Sequence, residues 1–393
     1  MLMDNMDLIS GGLWDMDSGI DAIYHPPGLQ PVFTIPLISS IAASKSAVVP
    51  TFNRDTKGTY VDLDEVIHTA AIGAPRFEAG GILIGADAIN LTPYSNKFTN
   101  WTAQESVTLT EGKDDGEGGF TATKYHLSAA SNRAVNYNDS FTNGKTYSFA
   151  VWVKAIVDTT IRIRTLSGGW SKDIPIKTAD GWKRISSAYT FTANSTTVMG
   201  FYDNSGKIGD LFYIKKAQCE EGSYKTSYIQ TDGYPASRVA DELSYDISTV
   251  ITQGCGSISC EFDFLGVNSG KIPRILELHD GTVNNRISLA INDSKLLTCN
   301  VVNNGSTVAN ISTASALTQN TKHKVFVTYQ DGDIKLYLNG ELVGSVISGA
   351  IPDVTTLSVG CDYALSNQLD GHLKWIKYYK DIVSATEALR RTA

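Results

Sequence analysis

His323-Lys324-Val325-Phe326-Val327-Thr328-Tyr329-Gln330-Asp331-Gly332-Asp333-Ile334-Lys335-Leu336-Tyr337-Leu338-Asn339-Gly340-Glu341-Leu342-Val343-Gly344 is the stretch that decides the fold. Asp331-Gly332 and Asn339-Gly340 are dipeptides suited to type I′ turns, because both of their residues tolerate positive φ. They predict a three-strand antiparallel meander whose register is set by two tight turns. The same period of two recurs upstream. Ile258, Cys260, Phe262 and Phe264 alternate with Ser259, Glu261 and Asp263, and Ile287, Leu289 and Ile291 alternate in turn, so a β-module opens at about Ser257.

A second set of alternating strands lies between Trp101 and Lys216. Tyr147, Phe149, Val151 and Val153 face one way, and Ser148, Ala150, Trp152 and Lys154 the other. Ile161 and Ile163 point inward with Arg162 and Arg164 outward, and Ile185, Tyr189 and Phe191 form a third core-facing set. One-sided alternation is the signature of antiparallel sheets with a single buried face. A chain of 393 residues is too long for one ordinary core, so we read two antiparallel β-sandwiches in an all-β chain.

Composition narrows the function. A formal net charge of −8 argues against general nucleic-acid affinity, whose footprint is a basic patch. The five cysteines are odd in number and lack CxxC spacing, which points away from a disulfide framework or zinc site and towards small buried hydrophobes. No apolar run reaches the roughly 18 residues a membrane span needs. Residues 1 to 44 carry no Lys or Arg before Lys45 but hold Asp4, Asp7, Asp15, Asp17 and Asp21, unlike the basic start of an export signal. They also hold Leu8, Ile9, Leu13, Trp14, Ile20, Ile23, Tyr24, Val32, Phe33, Ile35, Leu37, Ile38 and Ile41. These side chains need a surface, which is either a partner's or that of the chain's own first domain.

Between the two modules runs Ala217-Gln218-Cys219-Glu220-Glu221-Gly222, then Thr226-Ser227-Tyr228-Ile229, then Arg238, Ala240 and Asp241, with Gly233 and Pro235 punctuating. This resembles the close of the carbohydrate-binding-module-like sandwich of tailed-bacteriophage virion proteins, with eleven matching positions between 217 and 241. The run from Thr51 to Phe77, continuing through Gly81-Ile82-Leu83-Ile84 to Trp101, is similar to the preamble of that family's sandwich. Gly85 and Ala88 depart from it where relatives carry Glu and Arg. The meander, with Leu369 to Tyr379 as closing strand, resembles a laminin-G or concanavalin-A-like lectin sandwich. Ser384-Ala385-Thr386-Glu387 is a capping box that opens a short terminal helix.

The resemblance implies an all-β chain of two jelly-roll, concanavalin-like sandwiches behind an extended N-terminal virion-docking arm. Residues 1–80 form the arm and preamble, 81–232 the first sandwich and 240–393 the second. A Gly/Pro-bearing linker, open to proteolysis between about Ile229 and Asp246, separates the sandwiches. It implies a tail fibre, tail-tip or head-attached adhesin, made in the bacterial cytoplasm and resident in the virion; the alternatives are a purely architectural virion protein that binds no sugar and a polysaccharide-degrading enzyme, the latter disfavoured by the missing carboxylate pair. Its partners would be other virion proteins through the N-terminus, further copies of itself and a bacterial surface glycan.

No catalytic set is found. Glu261 and Asp263 begin an E-x-D-x-E pattern in which alternate carboxylates share a strand face, but Leu265 occupies the third place, so the pair reads as a solvated face. The six histidines are scattered outside any metalloprotease or hydrolase motif. Calcium is the one cofactor weighed, with Asp280, Asp293, Asp353 and Asp362 as loop ligands against the commoner reading of turn aspartates. Trp101, Trp182 and Trp375 read as core. Trp170, after Gly168-Gly169, reads as an exposed loop residue, and Trp152 shares an outward face with Arg162 and Arg164. Those four are the glycan candidates, the arginines favouring an acidic sugar. The competing reading covers Trp152 with the preamble or a neighbouring subunit.

Overall fold

In a computed structural model, the described residues are 30–131, 133–167, 169–347 and 349–393, together with the backbone of a hairpin, Leu13–Asp17 paired with Asp21–His25. The apolar side chains named before residue 30 lie outside the described residues. The chain is nearly all β and divides into two units. One takes in the described residues up to Asp55, Ile72–Ala86 and Ala240–Ala393; the other takes in Thr56–Ala71 and Asp87–Val239.

The first unit is a sandwich of a seven-stranded and an eight-stranded antiparallel sheet. The meander is present as His323–Gln330, Asp333–Leu338 and Glu341–Val346. Asn339 and Gly340 both have positive φ, 48° and 83°, as a type I′ turn requires. At the other turn only Gly332 does, so Asp331-Gly332 is not type I′. Cys255–Phe262 pairs with His323–Gln330 on one side and Gly371–Tyr379 on the other. Ile258, Cys260, Phe262, Val325, Val327 and Leu373 face Leu276, Leu278, Ile287 and Leu289 of the other sheet across one core. The terminal helix Ala385–Thr392 is capped by Ser384, whose Oγ accepts from the Glu387 N–H at 3.3 Å. No helix among the described residues is long and apolar enough to cross a membrane.

Part of the stretch expected to be an arm and preamble supplies strands to these sheets. Val49–Asn53 pairs with Glu242–Asp246 and Phe33–Ile35 pairs with Gly371–Tyr379, while Gly81–Ile84, expected to open the first sandwich, pairs with Phe77–Glu78 and Gly371–Tyr379. Phe33, Ile35 and Leu37 are buried in the core. Their alternation is too short to read as a strand from sequence, and the partners that complete it lie more than 300 residues away.

The second unit packs two five-stranded antiparallel sheets. One has the order Thr102–Ala103, Ala134–Phe141, Ser195–Asp203, Thr159–Thr165, Ser171–Ile176. The other has Val107–Lys113, Ala122–Leu127, Gly209–Glu221, Thr146–Ala155, Trp182–Thr190. Tyr147, Phe149, Val151, Val153, Ile161, Ile163, Ile185 and Phe191 all enter its core, with Tyr189 packed against it. The strand expected to end at Lys216 runs on to Glu221. The expected linker also contains strands, Ala236–Arg238 and Glu242–Asp246. All five cysteines are free thiols, and Cys219, Cys260, Cys299 and Cys361 are buried.

Candidate functional site

Trp152, Arg162, Arg164 and Trp170 do not form one surface. Trp152 belongs to the sheet containing Thr146–Ala155, and the two arginines belong to the sheet containing Thr159–Thr165. Both strands turn their intervening residues into the same core, so Trp152 and the arginines emerge on opposite faces of the sandwich.

Trp170 is core, not loop surface, with 2% of its area exposed. Its ring meets Phe141 and Phe191 edge-on, both at 6.2 Å, and stacks on Tyr189 at 6.1 Å; its indole N–H donates to Ser187 Oγ at 3.0 Å. The Thr165 N–H donates to the Trp170 carbonyl at 3.0 Å, closing a tight reversal that returns the ring over the core. Gly169, at φ +85°, permits that reversal, and a Cβ there would lie 2.7 Å from the Tyr189 hydroxyl oxygen.

Trp152 is half-buried, and its cover comes from its own unit. The Arg184 guanidinium, opposite it on the neighbouring strand, lies 4.2 Å from the ring centroid, and Tyr228 meets it edge-on at 6.2 Å. Arg184 is held by donating to the Thr226 carbonyl at 2.6 Å. Beneath, Glu220 is buried and accepts from the Thr226 N–H at 2.8 Å, the Thr226 hydroxyl at 2.7 Å and the Gln218 amide at 2.9 Å. Burial raises the Glu220 pKa against these donors. The run read as a seam is therefore a folded-back cap over this sheet face.

Arg162 and Arg164 do come together, around a residue the sequence reading missed. Tyr202 sits directly opposite Arg162 across the Thr159–Thr165 and Ser195–Asp203 pair. The Arg164 and Arg133 guanidiniums each lie 4.9 Å from the Tyr202 ring centroid, and that of Arg162 lies at 5.9 Å. Arg162 also donates to the Tyr202 hydroxyl at 3.2 Å and grips Asp173 by two bonds of 2.5 Å, which holds the Asp173 carboxyl below the usual range. Arg133 donates to Asn204 Oδ1 at 3.3 Å. Gly200 faces Arg164 in the register and adds no side chain beside it; a Cβ there would fall 2.2 Å from the Val135 carbonyl oxygen. Extending the alternation rule to Met199–Asp203 would have found Tyr202. Arg133 precedes its strand, so only the sheet order brings it near.

The carboxylates checked for catalysis are engaged in their own unit. Glu261 is 7% exposed rather than on a solvated face, because Trp375 lies opposite it in the register. The Trp375 indole N–H donates to Glu261 at 3.3 Å, and the Lys374 ammonium lies 3.7 Å away. Asp263 bonds His372 Nδ1 at 2.8 Å, and Glu78 bonds His372 Nε2 at 3.0 Å. Burial alone would lower the His372 pKa, but these two acids carry it up to about 9. Gly80 is the cradle for that ring, since a Cβ there would lie 2.7 Å from it. Of the aspartates weighed for calcium, Asp280 accepts from Thr282 and Asn285 and Asp362 from Ala364, Ser366 and Asn367, each capping its own turn. Among the described residues no three His, Cys, Asp or Glu side chains group as metal ligands.

Residues 264–388 match the family model described as the Concanavalin A-like lectin/glucanases superfamily. That part of the chain is a concanavalin-like jelly-roll domain. Similar solved structures include a Ruminococcus gnavus IT-sialidase CBM40 bound to alpha2,3 sialyllactose, at 17% identity and a TM-score of 0.34, covering 39% of this chain and 93% of that one. Domain 4 of AbnA, a GH43 extracellular arabinanase from Geobacillus stearothermophilus, in complex with arabinotriose, is 12% identical at a TM-score of 0.32, covering 44% and 81%. The carbohydrate binding module CBM66 from Bacillus subtilis is 14% identical at a TM-score of 0.25, covering 36% and 80%. No curated protein matches the chain.

Proposed function

We propose that this protein is a glycan-binding component of a tailed-phage particle, held there through its N-terminal segment and presenting its β-sandwiches to a bacterial surface. The observation that carries the binding reading is the match of residues 264–388 to a lectin-type family, in a stretch that folds as a jelly-roll. The fold hosts glycosidases as well as binders, so the choice rests on the site. A double-carboxylate hydrolase needs one free nucleophile and one free acid. Here Glu261 is paired with Lys374 and Trp375, Asp263 is paired with His372, and Leu265 fills the third place. That favours binding over hydrolysis. The particle role draws on the virion-protein resemblance of the preamble and of the run from Ala217 to Asp241, with other virion proteins and copies of this chain as partners.

Two measurements test the reading. The full chain, probed on an array of bacterial surface glycans, should retain at least one glycan and release no reducing ends from it. Labelled antibody should decorate intact particles. An empty array refutes the binding reading, and bare particles refute the virion role.

A further inference from the structure

The sheet face around Tyr202 concentrates positive charge in a chain whose formal net charge is −8. Among the described residues, only Arg162 of the three guanidiniums forms an ion pair with a carboxylate, Asp173. Arg133 has a neutral amide, Asn204, and the Tyr202 ring; Arg164 has, among the described residues, the Tyr202 ring alone. Two cationic groups thus lack an ion-pair partner among the described residues beside a third, an arrangement whose mutual repulsion an anion would relieve. Tyr202 is 7% exposed, so its ring is not a platform on which a sugar could stack. Its role is to hold guanidiniums over its π-face and fix their orientation, which lowers the entropy lost when they bind a ligand.

We propose that Arg133 and Arg164, mounted on Tyr202 and flanked by the Arg162–Asp173 pair, form a binding site for an acidic glycan. The recognised group is an oxyanion on the sugar, a carboxylate or a sulfate, taken in the fork geometry that guanidinium provides. Gly200, opposite Arg164 in the register, contributes no side chain of its own, and its far neighbour in the sheet is the polar Asn136. The sugar part of this assignment rests on the glycan-binding reading above; the anion part rests on the charge arrangement alone.

The test uses the full chain and one sugar in two charge states, an oligogalacturonic acid and its methyl ester, followed by calorimetry. The free acid should bind and the ester should bind at least about tenfold more weakly, one charge-assisted contact's worth. Arg164→Ala and Arg133→Ala should each cost about tenfold for the acid with the melting temperature unchanged, and Arg164→Lys should recover part of the loss. Raising NaCl from about 0.05 to about 0.5 M should weaken the acid and spare the ester. Equal binding of acid and ester, no binding of either, or acid binding indifferent to both alanine variants overturns the proposal. Inorganic sulfate competing as well as the oligosaccharide would show an anion site without sugar recognition and overturn the glycan assignment. These results are separable from the broader glycan-binding reading, which fails if the glycan array is empty.

Discussion

Deleting residues 1 to 44 is the sharpest perturbation available. Treated as a detachable docking arm, the segment could be removed with both sandwiches intact. Its last third, however, contributes Phe33, Ile35 and Leu37 to the core of the lectin-like unit, at 1%, 0% and 0% exposure. Phe33 stacks on Tyr378 at 5.3 Å, and the Val32 N–H donates to the Tyr378 carbonyl at 2.7 Å. Burying each such side chain stabilises by about 1.5–3 kcal/mol, so the three together supply roughly 5–9 kcal/mol. That is an upper estimate, since an unfolded chain already hides part of this surface. A whole domain holds only about 5–15 kcal/mol. The truncated protein should therefore lose the unit's cooperative transition or melt at least about 10 °C lower. Phe33→Ala in the full chain should cost about 3–5 kcal/mol by itself. Calorimetry reports the transition, and tryptophan emission follows mainly the other unit, which carries Trp101, Trp152, Trp170 and Trp182, four of the six tryptophans, and whose core holds none of the described residues of the deleted segment. A truncated protein that melts like the full chain refutes the core assignment.

Trp170→Ala should destabilise its unit by about 3–5 kcal/mol, read by urea titration, because a buried indole leaves a cavity; an unchanged midpoint would return Trp170 to the surface. The His372 pKa is raised from an unfolded value near 6.5 to about 9, so its contribution is fully present below about pH 6.5 and lost as pH rises through about 9. Melting temperatures from neutral to alkaline pH should fall more steeply for the natural protein than for His372→Gln, and parallel curves would count against the Glu78–His372–Asp263 bridge. Asp241→Asn should cost about 3–5 kcal/mol in urea, since it removes the carboxylate shared by two buried arginines; a loss below about 1 kcal/mol would show that the cluster is not an ion-pair network.

What was legible in the sequence was whatever depended on period and turn chemistry. The inward residues of Thr146–Ala155 and Thr159–Thr165 are those the alternation named, and Asn339-Gly340 turns as its dipeptide predicts. Alternation assigns a side chain to a face but not to a sheet, which is why Trp152 and Arg164 looked like neighbours and lie on opposite sides of a sandwich. Nor does it report what covers a face: Trp375 over Glu261 and Arg184 over Trp152 come from strands whose pairing is set by long-range order. Trp170 misled for a third reason. Gly168-Gly169 signals a turn, and a turn can carry the next side chain inward as readily as outward.

The segment from Arg238 to Asp241 shows why so specific a motif stands where the chain passes from one unit to the other. Arg238 is buried and bonds Ser227 within the unit that ends at Val239. Three residues on, Asp241 is buried in the other unit, where it takes Arg54 Nη1 at 2.9 Å, Arg76 Nη2 and the Gly85 N–H at 2.8 Å. Gly85, the place where a Glu was expected, thus presents an N–H to the carboxylate, whereas a Glu side chain there would add a second negative charge beside it. Two cations and one anion with no exposed side-chain surface are stable only while every partner is in place. The three segments that meet at Asp241 begin near residues 54, 76 and 241, so the cluster can close only once the chain has left this unit and returned to it. The motif is therefore not a flexible seam. It is a pair of anchors, one in each unit, and the second anchor fixes a stretch of the preamble into the lectin-like core.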